Sequence, residues 1–144
     1  MISNKLLSAI LNKKCVIVDF IKETNNLYYQ TDCNIGTELR NKECWINVYE
    51  LSERCKQWAF IKWYSIESSI DSDGFDEQDN IEWVYYVYLS DLKNIEHIGN
   101  RNKFIKEFKA KTEPEAIFKA CEWILENKDY KWKQFNCLMN FYLI

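Results

Sequence analysis

Residues 111–128, KTEPEAIFKACEWILENK, admit one local structure. Ala116, Ile117, Ala120, Cys121, Ile124 and Leu125 recur at helical spacing and draw a single apolar stripe along one face. Thr112 stands at the N-cap, Glu115 follows three residues later, and Pro114 occupies the first turn, where a missing N–H has no partner to lose. Asn127 and Lys128 suit the end. A stripe of this kind holds its helix only when another apolar surface covers it, so the rest of the chain must supply that surface.

A second helix is predicted over residues 47–60, where Val48, Leu51, Cys55, Trp58 and Ala59 share a face and Asn47 with Glu50 fits a capping box. The opening MISNKLLSAILNKK is predicted as a short amphipathic helix. Its apolar run is interrupted by Ser8 and no small-residue cleavage site follows, which argues against a secretory signal. Between the helices the period changes to two. KCVIVDFI sets Val16, Val18 and Phe20 against Cys15, Ile17 and Ile21, both faces apolar and both expected to be buried. A turn at Asn25-Asn26 makes residues 14–33 a hairpin, and NIGTELRNKE beyond it, polar and irregular, is expected to be a connection or a short helical turn. FIKWYSIESSI and IEWVYYVYL are two further strands, and KFIKEFKA, with Phe104, Phe108 and Ala110 alternating against charges, is an edge strand. Strands apolar on both faces need cover on both. The fold class expected is therefore α+β, a single domain over 1–144 with a small, mainly antiparallel sheet covered by helices on both faces. Residues 1–41 supply helix and hairpin, 44–127 the core, and 128–144 an apolar C-terminal segment.

With 144 residues the chain can bury a real core, and only three glycines and one proline leave no linker. The six cysteines include no C-x-x-C pair, which removes the usual zinc and redox spacings. Packing thiols are expected at Cys55 and Cys121, on the apolar stripes. No apolar run approaches the length of a membrane span, and a cytoplasmic setting is expected.

The charge is concentrated. Residues 71–82, DSDGFDEQDNIE, hold Asp71, Asp73, Asp76, Glu77, Asp79 and Glu82 with no basic side chain; without those six the formal net charge of −3 becomes +3. Asp71, Asp73 and Glu82 match positions one, three and twelve of an EF-hand loop, but the sixth position is Asp76 instead of glycine and the flanks are strands, so no metal site is assigned. Crowding like charges is unfavourable unless a basic partner compensates, and these six residues are the candidate contact with a host protein of basic surface. The run RNKFIKEFKAK interleaves Arg101, Lys103, Lys106, Lys109 and Lys111 with Phe104 and Phe108, a pattern that could stack a nucleic-acid strand; the acidic overall balance speaks against it. His97, the one histidine, has no companion motif, Glu113 and Glu115 belong to a helix start, and the glycines form no phosphate cradle; no catalytic residue and no cofactor are assigned. Six tryptophans leave room for a recess taking a planar ligand, although most of them are expected in the core. At the C-terminus Phe141, Tyr142 and Leu143 need cover, from the domain itself or from a subunit or partner contact.

The stretches INVYELSERCKQWAF and FKAKTEPEAIFKACEWILENK, with the β-rich sequence between them, resemble small phage and prophage proteins with a phage-type α/β/α sandwich domain. The resemblance spans about residues 44–127 and implies a viral or mobile-element origin; it brings no catalytic residues. Together these features predict a non-catalytic phage accessory protein, a counter-defence inhibitor that occludes a bacterial host protein through the acidic hairpin. A small-ligand or nucleotide-sequestering module is the alternative.

Overall fold

The computed structural model describes residues 1–93 and 104–127, the side chains of residues 34 and 35 excepted. The order is α1 (Asn4–Leu11), β1 (Cys15–Ile21), β2 (Asn26–Ile35), β3 (Glu38–Asn47), α2 (Val48–Ile61), β4 (Tyr64–Phe75), β5 (Ile81–Asp91), β6 (Lys106–Ala110) and α3 (Glu113–Glu126). It is a single α+β domain. Its antiparallel strands form two three-stranded sheets, β1-β2-β3 and β4-β5-β6, with the helices packed against both.

The helices begin where the side chains dictate. Thr112 Oγ1 accepts the Glu115 N–H at 3.4 Å, and Pro114 lies in the first turn of α3. Asn47 Oδ1 accepts the Tyr49 N–H at 3.0 Å. Glu50 does not complete a capping box there; its carboxylate pairs with Arg54 one turn on, at 3.3 Å. Ser3 caps α1 by accepting the Leu6 N–H at 3.0 Å, while its own N–H donates to the Glu122 carboxylate at 2.8 Å. That last bond ties the first helix to the last.

One hydrophobic core joins the two sheets. Leu6 and Leu7 of α1, Leu27 of β2, Leu51, Cys55 and Ala59 of α2, Val87 and Leu89 of β5, and Ala116, Ile117, Ala120 and Cys121 of α3 are all fully buried within it. Cysteine and alanine on both facing helices let α2 and α3 approach closely, and the Cys121 thiol donates to the Cys55 carbonyl at 3.6 Å. At the edge of this contact Lys56 bridges Glu53 at 3.2 Å and Glu113 at 3.4 Å. Burial alone would lower the Lys56 pKa, but the hydrogen bonds and charges of Glu53 and Glu113 outweigh it and hold the pKa above its ordinary value.

Four expectations need correction. NIGTELRNKE, residues 34–43, is neither a connection nor a helical turn: it holds the end of β2 and the start of β3, and β3 pairs with β2 along its whole length, from Ile35 opposite Glu38 to Asn26 opposite Asn47. Gly36, at φ +65°, opens the two-residue turn that glycine in that position favours. Residues 60 and 61 belong to α2, so β4 starts at Tyr64 and not in FIKW. The first strand is covered on one face only: Cys15 is buried, while Val16 and Val18 are exposed. Nor do the tryptophans fill the core, since Trp45, Trp63 and Trp83 are exposed and Trp58 and Trp123 only half-buried. A core closed by alanine and cysteine has little room for indoles whose N–H groups need partners.

Several predicted features lie outside the described residues: His97, Arg101, Lys103, Trp132, and the apolar segment with Phe141, Tyr142 and Leu143.

Leu51→Ala should cost about 2–5 kcal/mol, because the cavity opens where both sheets meet the helix pair; urea denaturation reads it directly. Cys55 and Cys121 should resist alkylation by iodoacetamide at pH 8 in the native protein and react fully once it is unfolded, scored by mass spectrometry. For Cys121 the hydrogen bond with Cys55, together with burial, pushes the thiol far above its usual range, which suppresses the reactive thiolate. Rapid native labelling of either would contradict this packing.

Candidate functional site

β4 and β5 are longer than the helices that cover them. Val87 and Leu89, with Ile66 and Tyr85 beside them, face the core, whereas beyond Ile70 and Trp83 the ribbon carries its side chains into solvent. The acidic stretch is therefore mostly strand. Pairing continues through Asp71 opposite Val84, Ser72 opposite Trp83 and Phe75 opposite Ile81, with a bulge between Ser72 and Phe75 that Gly74 accommodates at φ +102°. The turn itself is short. The Asp76 N–H donates to the Asn80 carbonyl at 2.8 Å, and Asp76 Oδ1 accepts the N–H groups of Gln78 and Asn80, each at 2.9 Å. Asp79 takes φ +61°, which aspartate tolerates better than most residues.

Asp71, Asp73, Asp76, Glu77, Asp79 and Glu82 are all exposed, and among the described residues none is in an ion pair. Asp76 has a structural task as well, holding the turn. No three acidic, cysteine or histidine side chains converge into a metal-binding group among the described residues.

Sequence reasoning missed what lies beside these charges. Side chains alternate along a strand, so Trp83 and Ile81 share a face of β5, and their partners Ser72 and Phe75 share it from β4. Phe75 is 71 % exposed, Ile70 and Trp83 52 % each, and Ile81 49 %. The projecting ribbon thus offers an uncovered apolar face between its carboxylates. The signal was present in the sequence as Phe75 and Ile81 within the acidic run, but its exposure depended on where the helices end.

The competing sites are weaker. Phe104 stacks on Tyr88 with ring centroids 4.8 Å apart, Phe108 packs against the core, and Lys106 lies over Phe108 and Trp123 at 5.7 Å each, so these rings are engaged within the domain instead of forming an open stacking platform. A recess of about 260 Å³ lies where the starts of α2 and α3 meet the β1–β2 turn, with Phe20, Val48, Pro114 and Phe118 as apolar lining and Lys22 among its polar residues. A wider one of about 410 Å³ runs along α3 beside Phe108 and Trp123. None of the described helices is long and apolar enough to cross a membrane.

No family model matches the chain, and no curated protein or solved structure matches it either. The site rests on geometry alone.

If the exposed face of the ribbon is surface and not core, Phe75→Ser and Trp83→Ser should each move the melting temperature by no more than about 2 °C. A loss comparable to that of a core truncation would show that the ribbon folds back onto the domain.

Proposed function

We propose that this chain is a non-catalytic binding protein whose projecting acidic ribbon docks on a basic surface of another protein. The observation that carries the reading is the pairing of two features on one ribbon: six exposed carboxylates with no ion pair among the described residues, and an exposed apolar face formed by Ile70, Phe75, Ile81 and Trp83. Charge steers the encounter and selects the partner's sign, while desolvated aromatics at the centre of a contact supply most of the affinity. An acidic patch alone would bind weakly and lose its hold in salt.

The narrower reading follows from the resemblance of residues 44–127 to phage-encoded proteins. In that setting the chain is a counter-defence inhibitor in the bacterial cytoplasm, and the host target is a protein whose basic surface normally meets nucleic acid. The carboxylates then stand where phosphates would.

A small-ligand module remains the second reading, favoured by the recess between the starts of α2 and α3 with Lys22 beside it. At about 260 Å³ the recess falls just under the volume typical of drug-sized ligand sites. It predicts a thermal shift with a nucleotide library and none with a basic protein.

The test of the first reading is a variant carrying Asp71→Asn, Asp73→Asn, Asp76→Asn, Glu77→Gln and Asp79→Asn. The amide at position 76 keeps an acceptor for the turn. Partner capture from a bacterial lysate should weaken by roughly ten-fold or more and lose most of its salt dependence. Unchanged capture by the neutral variant would rule the proposal out.

A further inference from the structure

The recess of about 260 Å³ at the starts of α2 and α3 draws its lining from the end of β1, the turn after it and the first turns of both helices. Phe20, Tyr49 and Phe118 bring three aromatic rings to it, and Val48 and Pro114 add apolar side chains. Two charged side chains line it as well, Lys22 just past β1 and Glu115 in the first turn of α3. The lysine is exposed and the glutamate half-buried, and among the described residues neither is in an ion pair, with each other or with any third group.

Helix starts bind phosphate through N–H groups that have no partner, and the starts that line this recess have used theirs. The Val48 N–H donates to the Asn25 carbonyl at 2.8 Å and the Tyr49 N–H to Asn47 Oδ1 at 3.0 Å. In α3 the Glu115 N–H donates to Thr112 Oγ1 at 3.4 Å and the Ala116 N–H to the Thr112 carbonyl at 3.2 Å, while Pro114 has no N–H to offer. Polar recognition is therefore left to the side chains, one cation and one anion with no net charge between them.

We infer that this recess binds an aromatic α-amino acid in its zwitterionic form, the carboxylate on Lys22, the ammonium on Glu115, and the ring among Phe20, Val48, Pro114 and Phe118. A ligand with a single charge would desolvate one protein charge and leave it without a partner, which is costly. A nucleotide would set several negative charges against one lysine and bring them up to Glu115. The volume, just under that usual for drug-sized ligands, suits a molecule the size of one amino acid. Three rings in the lining favour an aromatic side chain over an aliphatic one, since paired rings attract beyond the area they bury.

This inference rests on the small-ligand reading of the recess and is independent of the acidic ribbon. The experiment is isothermal titration of the intact protein with phenylalanine, tryptophan and leucine, with N-acetylphenylalanine and phenylalaninamide, which each lack one of the two charges, and with a set of nucleotides. Phenylalanine or tryptophan should bind roughly ten-fold more tightly than leucine and than either derivative. Glu115→Gln should weaken the amino acid by a similar factor without weakening N-acetylphenylalanine, and Lys22→Met should weaken it without weakening phenylalaninamide. Both variants should keep the melting temperature within about 2 °C of the parent protein. Equal affinity for the amino acid and its derivatives, or variants that lose every ligand alike, would overturn the zwitterion assignment. Binding of a nucleotide and of no amino acid would overturn the inference and leave the small-ligand reading standing. No binding of any of these at millimolar concentration would overturn both.

Discussion

The packing of α2 against α3 decides the rest. Both helices present small residues to each other, Cys55 and Ala59 on one and Ala116, Ala120 and Cys121 on the other, all without solvent exposure. Close approach leaves the outer sides of the pair free for two different sheets. α2 continues directly from β3 and reaches across to β4, while α3 lies on β5 and β6, so the helices join the sheets. Ser3 and Glu122 then bind α1 to the same unit. A bulkier residue at any of those small positions would push the sheets apart as well as the helices.

This arrangement accounts for the exposed ribbon. The helix pair covers a fixed length of sheet, and β4 and β5 exceed it. Residues under the helices pay their way as core, from Tyr64 and Ile66 to Val87 and Leu89. Past that limit no described element covers the ribbon, and its apolar side chains are held in water by a scaffold that gains nothing from them. Such residues neither pack the core nor cap a turn, which is why the ribbon is the surface where binding is best sought.

The same geometry explains what the sequence made legible. Both long helices, their caps at Asn47 and Thr112, the first hairpin and the edge position of β6 follow from period and turn chemistry, because each is settled within a few residues of chain. β3 is settled at a distance. Its outer half, ELRNKE, is exposed at every position and has no buried face to reveal a period, so its strand conformation comes from register with β2 and the turn at Gly36. The exposure of Trp45, Trp63 and Trp83 has a similar cause: hydrophobicity gives a preference for burial, and only the reach of the helices decides which tryptophans obtain it. The carboxylates of residues 71–82 are legible as a cluster, and the exposure of their apolar companions is not, since it depends on where the helices end relative to β4 and β5.

An uncovered edge strand ordinarily invites indiscriminate pairing, and proteins suppress this with charge, proline or bulges. β4 uses two of these devices in its distal half, Asp71 and Asp73 together with the bulge before Phe75, and neither appears beside Phe60 and Ile61. The protection is therefore selective in sign and in place. Like charge repels a second β4 over the acidic half, and the bulge prevents regular pairing from running to the tip. Built-in repulsion of this kind selects against the wrong partner by making its contact unfavourable.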